Sequence, residues 1–392
     1  MNKKQRALAA IKHKSVDRIP TMFRAIGYIS KSLMEHFGIG DSNDPDLLVN
    51  DFRKLEKSLG FDFWSSGCNI GKFSTFIPKY VGPDLEYRDG NYYSAVGIPT
   101  AAKTIEKYDY SFTRILKNPL AECSSPGEVE GFLTGKLDRF DFSNIINNVF
   151  ASDYFADYRS KKDAERLSMK SFSGSKEDFI CIGNNMNSMY MLCSYLRGMD
   201  NFLYDLAGNK KMAEAIITEV GEFVIEYHKR YLDNAGDMAE FFGAWDDVAM
   251  QNGMMFPPED FKRYFLPYWK KLITMVKARD IIFCWHCCGN VEDVLPLMID
   301  AGIDVFDVFQ TSARNMDVEK FYNKFGKDVC VHGGIDVQKL LVSGSHSQIR
   351  DEVARIKELW GNGGGIILGP SHEIVPETPI DNVLFLYEEL NR

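Results

Sequence analysis

The fold is decided by the stretch IIFCWHCCGNVEDVLPLMIDAGIDVFDVF, which occupies residues 281–309. An apolar run, Ile281 to Trp285, is followed by a helix-like segment, Val291 to Ala301, and then by a second apolar run, Val305 to Phe309. A strand, a helix and a strand in this order form a βαβ unit, whose two strands lie side by side in a parallel sheet. The stretch therefore predicts an α/β protein.

The same alternation recurs along the chain. Six further strand-like runs are Ile19 to Arg24, Phe61 to Ser65, Phe179 to Gly183, Met238 to Trp245, Val329 to His332 and Gly365 to Leu368. Helix-like segments lie between the later runs: Met212 to Leu232, Pro258 to Lys277, Val318 to Phe325 and Gln348 to Trp360. Eight such units close into a (β/α)8 TIM barrel. The alternative is a doubly wound open sheet, but no Gly-x-Gly-x-x-Gly follows the first run, so a dinucleotide-binding fold lacks its main signal.

The domain organisation follows from the length. A chain of 392 residues suits one barrel with insertions, so we predict a single domain over residues 1–392. The prediction includes an N-terminal helical and hairpin elaboration, with an insertion at about residues 75–175. Within it, Tyr80 to Ile98 predicts a hairpin with Asp89-Gly90 at its turn. The charged segment Glu128 to Lys170 predicts helix outside the barrel core.

The composition excludes several classes of protein. Lys and Arg number 46 against 55 Asp and Glu, for a net charge of −9, which disfavours nucleic-acid and anionic-membrane binding. No apolar run approaches the ~20 residues of a transmembrane helix. Eight cysteines are too sparse for a disulfide scaffold, and Met1 to Ile11 predicts an amphipathic helix rather than a signal peptide. We expect a cytoplasmic protein with reduced thiols.

The strongest chemical signal is Cys284-Trp285-His286-Cys287-Cys288-Gly289, directly after a strand. His286 and Cys288 are two residues apart, so on extended backbone both point the same way, and an imidazole with a thiolate suits Zn²⁺. We predict His372 as the third ligand, with Asp246, Asp247 or Glu240 as carboxylate options. The alternative is that Cys284 and Cys287 are packed core thiols and His286 a hydrogen-bonded core histidine.

Other polar residues follow the remaining strands, where barrel enzymes build their active sites. Candidates for binding substrate are Arg24, Asn184, Gln310 and His332, and candidates for acid/base work are Asp246, Asp247 and Asp336. We expect one of the adjacent aspartates to cap a helix and the other to face the cavity. His332 has a core position as its alternative.

The order of these motifs resembles the uroporphyrinogen decarboxylase superfamily. The resemblance rests on His-x-Cys-Gly at 286–289, Gly-Gly-Ile-Asp at 333–336 and the segment Pro370-Ser371-His372-Glu373-Ile374. Asp17-Arg18-Ile19-Pro20 resembles the family's entry to its first strand. Matches span nearly the whole chain, and the resemblance implies a (β/α)8 barrel.

The superfamily holds two chemistries, and the resemblance favours one of them. Its decarboxylases hold a polycarboxylate substrate with a pair of arginines in the first-strand loop, where this chain carries only Arg24. Its other branch comprises zinc-dependent methyltransferases that work with a corrinoid protein. Those with thiol acceptors carry His-x-Cys plus a later cysteine. The first two match His286 and Cys288, but His372 stands at the third position. A site with one thiolate is a stronger Lewis acid towards oxygen than one with two.

The resemblance therefore predicts a cobamide-dependent methyltransferase. Zn²⁺ would be held by His286, Cys288 and His372, and the methyl group of a small compound, such as a methoxylated aromatic, would pass to cobalt on a separate corrinoid protein. A homodimer is the expected assembly. Two alternatives remain open: a metal-free decarboxylase of a smaller acid using Arg24 and Asp336, and a non-catalytic corrinoid- or zinc-binding module.

Overall fold

A computed structural model describes residues 1–40, 45–66, 69–70, 75–82, 92–93, 96–108, 110–147, 179, 181–182 and 188–392. The strands are β1 Met22–Phe23, β2 Phe63–Ser66, β3 Asn69–Ile70, β4 Thr75–Tyr80, β5 Tyr92–Tyr93, β6 Pro99–Ile105, β7 Tyr110–Ile115, β8 Phe140–Asn147, β9 Cys181–Ile182, β10 Phe241–Trp245, β11 Ala249–Met250, β12 Gly253–Met254, β13 Ile282–His286, β14 Val305–Phe309, β15 Cys330–Ile335 and β16 Ile366–Pro370.

The α-helices are α1 Lys3–Ile11, α2 Gly27–His36, α3 Pro45–Leu59, α4 Tyr190–Arg197, α5 Met199–Gly208, α6 Lys210–Ala235, α7 Pro258–Asp260, α8 Leu266–Lys277, α9 Leu295–Ala301, α10 Val318–Phe325, α11 Leu340–Ser343, α12 His346–Trp360 and α13 Ile380–Asn391. A π-helical turn, Phe261–Phe265, joins α7 to α8. Short 3-10 turns span Glu106–Tyr108, Pro126–Glu128 and Lys136–Arg139.

A parallel ladder forms the barrel wall. Strands β9, β10, β13, β14, β15 and β16 pair in that order, all parallel. A parallel bridge from Thr21 to Leu368 joins β16 to the β1 segment, and β1 pairs in parallel with β2. On the far side, the ring of Phe63 on β2 lies 5.9 Å from that of Phe179, just before β9. These eight strands fall on the eight predicted runs, and the predicted (β/α)8 fold is confirmed.

Apolar side chains fill the lower half of the barrel. Alternate residues of each strand point inward, and they form one buried cluster: Met22, Phe63, Phe179, Cys181, Phe241, Ile282, Cys284, Val305, Cys330 and Ile367. Ala7 and Ile11 of α1 pack on this cluster and close the amino-terminal end of the barrel. A capping box between Asn2 and Gln5 starts α1, as expected for an amphipathic first helix. The carboxyl end of the strands is therefore the expected entrance for a ligand.

Two predictions for the insertion are wrong. Tyr80 ends β4 and pairs with Phe140, whereas Tyr92 and Tyr93 pair with β6, so the two sides of the predicted hairpin belong to different sheets. Asp89-Gly90 lies outside the described residues. The segment predicted as helix from Glu128 to Lys170 instead contains strand β8, whose Phe140 and Phe142 are buried while Ser143 is exposed, and residues 148–170 lie outside the described residues. That alternation is the pattern of a half-buried strand.

No described helix is long and apolar enough to cross a membrane. The single-domain assignment and the insertion at 75–175 stay predictions.

Candidate metal centre

A polar layer lies on top of the apolar layer in the barrel. Two residues beyond the apolar cluster, the inward positions of four strands carry Arg24, His286, Asp307 and His332, all of them buried. Side chains two apart on a strand share a face, so strand alternation alone brings these four groups together. Below them the barrel is filled with apolar side chains, which strengthens the electrostatic interactions in the layer.

Three potential metal ligands meet above this layer. His286 ends β13, Cys288 follows two residues later, and His372 lies just past β16. One ligand atom from each lies within 4.8 Å of the other two, and Cys288 Sγ is 3.3 Å from His286 Nε2. Two imidazole nitrogens and one thiolate sulfur are donors that Zn²⁺ prefers, and three protein ligands leave a fourth position open. The three residues predicted to bind zinc are thus brought together, and we call this group of three candidate ligands the metal cluster.

Burial sets the protonation of this cluster. Burial lowers the pKa of His372 well below its ordinary value, and the charge of Arg24 lowers it further, so the imidazole is neutral, the form that binds metals. Burial raises the pKa of the Cys288 thiol well above its usual range, and Asp247 adds to the effect. Cys288 therefore needs a cation beside it to become a thiolate, and a bound metal would provide one.

Asp307 is the residue that sequence reasoning missed. Its carboxylate contacts Nδ1 of His286 with one oxygen, lies 2.7 Å from Nδ1 of His332 with the other, and is 3.3 Å from Nη1 of Arg24. Burial alone would raise the pKa of Asp307, but His286, Arg24 and His332 together hold it well below its ordinary range. The signal was present, because Asp307 is a charged residue in the middle of the apolar strand Val305–Phe309.

The two adjacent aspartates divide their roles, as expected. Asp246 is fully buried and accepts hydrogen bonds from Ser188 Oγ at 2.9 Å and from the N–H groups of Tyr190 and Met191, so it caps α4. Burial raises the pKa of Asp246 to about 7, although these hydrogen bonds oppose the shift. Asp247 accepts the Cys288 N–H at 2.9 Å and lies 3.7 Å from His286 Nε2, so it faces the metal cluster.

Similarity to known proteins identifies the family of this chain. Residues 173–392, more than half of the chain, match the family described as uroporphyrinogen decarboxylase (URO-D). The chain belongs to the uroporphyrinogen decarboxylase family. The resemblance seen in the sequence is confirmed at this level.

Relatives in the family carry two kinds of name. "Uroporphyrinogen decarboxylase" from Nostoc punctiforme is 28% identical over 181 residues, which is 45% of this chain and 47% of that protein. "Methylcobamide:CoM methyltransferase MtbA" from Methanosarcina acetivorans is 22% identical over 204 residues, 52% of this chain and 56% of that protein. The chain spans about half the length of the curated relatives it matches.

A solved structure shares the whole architecture. The "methyltransferase from Methanosarcina mazei" superposes with a TM-score of 0.62 at 18% identity, covering 100% of this chain and 98% of that one. At this identity the likeness shows the barrel fold alone. The chemistry therefore has to be argued from the site.

The remaining predicted residues of this family member lie at different distances from the metal cluster. Gln310 Oε1 accepts the N–H of Gly289 at 2.8 Å and so holds the loop that carries Cys288. Gly289 is required there, because φ is +89° and a Cβ would come within 2.5 Å of the Met250 carbonyl oxygen. Gln310 thus acts on the loop.

Two other predicted residues are held elsewhere. Asp336 accepts the N–H groups of Gln338, Lys339 and Leu340 at the start of α11, and it lines a separate groove of about 430 Å³ with Asp317 and Arg355. Glu240 precedes β10 at the closed end of the barrel and pairs with Lys4. Asn184 lies outside the described residues. Cys284 and Cys287 are fully buried core thiols, as the alternative proposed for them.

Proposed function

We propose that this family member is a methyltransferase that moves a methyl group between a small methylated compound and the cobalt of a corrinoid carried by a separate protein. The observation that carries the proposal is the meeting of His286, Cys288 and His372 at the open end of the barrel. Two nitrogen donors and one sulfur donor fit Zn²⁺ better than Mg²⁺ or Ca²⁺, which prefer oxygen. The printed name of the Methanosarcina acetivorans relative supports the same chemistry.

When bound, zinc would supply a Lewis acid to the heteroatom that carries the methyl group. The residues of the chain would do the rest. His286 and His372 would offer neutral imidazole nitrogens, and Asp247 would hold the Cys288 backbone through its N–H. His332 Nε2, which has no hydrogen-bond partner among the described residues, would accept a hydrogen bond from the substrate. The apolar barrel below would exclude water.

The position of Arg24 argues against a decarboxylase. Holding a substrate carboxylate requires a cation whose charge is available, but Arg24 is buried 3.3 Å from Asp307. The Asp247 carboxylate also faces the mouth, where it would repel a polyanion. The metal cluster, by contrast, is left without a role in a metal-free decarboxylation. A methoxylated aromatic substrate, a corrinoid protein partner, a homodimer and a cytoplasmic location remain our predictions.

The first test is metal content and methyl transfer. We expect the purified protein to hold about one zinc ion per chain. We also expect it to methylate cob(I)alamin from methoxylated aromatic donors, a reaction that is monitored by the loss of the cob(I)alamin absorbance. The double variant His286→Ala, Cys288→Ala should lose both properties. A matched control, Cys123→Ala with His346→Ala, changes one cysteine and one histidine outside the barrel mouth and should keep both.

Two results would contradict the proposal. The first is a protein without zinc in which the His286→Ala, Cys288→Ala variant loses nothing. The second is release of CO2 from a carboxylic acid that persists after chelation, which would favour the decarboxylase instead.

A further inference from the structure

One carboxylate contacts two imidazoles in the barrel mouth. Asp307 meets Nδ1 of His286 with one oxygen and Nδ1 of His332 with the other. A carboxylate can only accept hydrogen bonds, so each Nδ1 must carry the proton. Arg24 already lies against the same carboxylate and supplies the positive charge that a buried anion needs, so the two imidazoles need only donate their Nδ1–H groups to it.

The tautomer decides which nitrogen remains free. In a neutral imidazole with its proton on Nδ1, Nε2 carries the lone pair. For His286 this nitrogen points to the metal cluster, because Cys288 Sγ is 3.3 Å from it. For His332 the same nitrogen is buried and has no hydrogen-bond partner within the described residues. A buried polar atom left in this way calls for an explanation.

We propose that Asp307 is a positioning residue that fixes His286 and His332 together as Nδ1–H tautomers. This leaves His286 Nε2 unprotonated for the metal and His332 Nε2 unprotonated for a hydrogen-bond donor on the substrate. The inference rests on the proposed function for its metal, but the tautomers themselves are a property of the metal-free chain. A carboxylate behind a ligating histidine orients the ring and raises its basicity.

Asparagine at this position tests the idea sharply. An amide has the size of a carboxylate but offers one acceptor and one donor. In Asp307→Asn, one of the two histidines must therefore face the amide N–H with an unprotonated Nδ1 and place its proton on Nε2. If that histidine is His286, its metal-binding nitrogen is blocked. If it is His332, the substrate acceptor becomes a donor.

The first measurement is zinc affinity by competition with a chelator. We expect Asp307→Asn to lower the affinity roughly 10- to 100-fold. The matched control is Asp205→Asn, because Asp205 is also a buried carboxylate paired with a buried arginine, Arg197, at 2.8 Å, but it touches no histidine. The control should lose stability and keep the wild-type affinity. Equal zinc affinities for the two variants, with both His286 and His332 still Nδ1–H in Asp307→Asn, would overturn the proposal.

The second measurement reads the tautomers directly. Two-bond ¹⁵N–¹H spectra of ¹⁵N-histidine-labelled, metal-free wild type distinguish Nδ1–H from Nε2–H rings, and the seven histidines keep the spectrum tractable. His286→Gln and His332→Gln assign the two signals. We expect both rings to be Nδ1–H in the wild type and one of them to switch in Asp307→Asn.

The spectra keep the proposal testable whether or not the variant folds. A wild-type His286 or His332 protonated on Nε2 alone would overturn it without any substitution at Asp307. The two levels of inference also fail differently. A wild type that binds no zinc contradicts the proposed function, whereas a zinc-binding wild type with an unaffected Asp307→Asn variant contradicts only the role of Asp307.

Discussion

The barrel buries an aspartate near each of its ends, and the two are held by different partners. At the closed end, Asp62 accepts hydrogen bonds from Arg6 at 2.6 Å, from Arg18 at 2.7 Å and from the Thr21 N–H at 2.9 Å. At the open end, Asp307 meets one arginine and two histidines. Both carboxylates are buried, yet only Asp307 contacts side chains that have a second nitrogen available to bind a ligand.

The difference shows how one fold separates stability from chemistry. The donors to Asp62 are two arginine side chains and a backbone N–H. None of these groups gains or loses a proton under ordinary conditions, and none has an acceptor atom that could bind a ligand. Each histidine on Asp307 has a second nitrogen that points elsewhere. In barrels of this kind the amino-terminal end serves stability and the carboxyl end serves function. Here the contrast is visible in the donor set of a single residue at each end.

The largest expected effect is at the closed end. In Asp62→Asn, Arg6 and Arg18 lose their shared carboxylate, although Arg6 keeps Asp17. Removing one partner of a buried ion pair costs about 3–5 kcal/mol, and we expect that loss of unfolding free energy in urea titrations. Zinc affinity should not change, because no metal ligand touches Asp62. A variant that lost zinc while keeping its stability would erase the distinction between the two ends.

Much of this barrel could be predicted because its signals are local. Each strand of the barrel is a short apolar run, and most are followed by a helix whose apolar positions recur with helical spacing, so eight strands could be counted in the sequence. His286 and Cys288 could be paired because two residues on extended backbone share a face. Val318–Phe325 forms a helix over the bounds that its pattern indicates.

What could not be predicted depends on contacts distant in sequence. The role of Asp307 depends on its contacts with Arg24, which lies 283 residues away in the chain, and with two histidines on neighbouring strands. The insertion failed for the same reason, because Tyr80 pairs with Phe140 rather than with the nearer strand across Asp89-Gly90. A turn signal indicates where a chain bends, but the partner of a strand is chosen by packing of both faces.

A buried histidine on helix α6 is expected to have an intermediate effect on the free energy of unfolding. His228 on α6 is fully buried, with Nδ1 2.7 Å from the Val224 carbonyl oxygen. Burial lowers its pKa to about 4, from 6.5. As the pH falls, the unfolded chain therefore binds a proton at this histidine before the folded chain does. The stability that the neutral buried histidine contributes is fully present above pH 6.5 and is lost between about pH 6.5 and 4.

We expect the loss to reach about 3 kcal/mol of unfolding free energy across that window. The measurement is urea denaturation of wild type and His228→Gln from pH 8 to pH 4. The variant should be less stable at pH 8, since it loses packing against Phe242, but the gap should close as the pH falls. Because the two proteins are compared at each pH, the titration of other groups cancels. A difference in unfolding free energy that stays constant from pH 8 to pH 4 would show that protonation of His228 does not cause this loss.

The smallest effect separates Asp246, which follows β10, from Asp307 on β14 of the same sheet. The Asp246 carboxylate accepts hydrogen bonds at the start of α4, from Ser188 and from the N–H groups of Tyr190 and Met191. Asp246→Asn keeps the shape and one acceptor, so we expect a loss of about 1 kcal/mol, typical of a weakened helix cap, and no change in zinc affinity. The measurements are urea denaturation and chelator competition, with Asp307→Asn as the reference. If Asp246→Asn weakened zinc binding as much as Asp307→Asn does, any buried carboxylate at this end would suffice, and the contact with the two histidines would not be what matters.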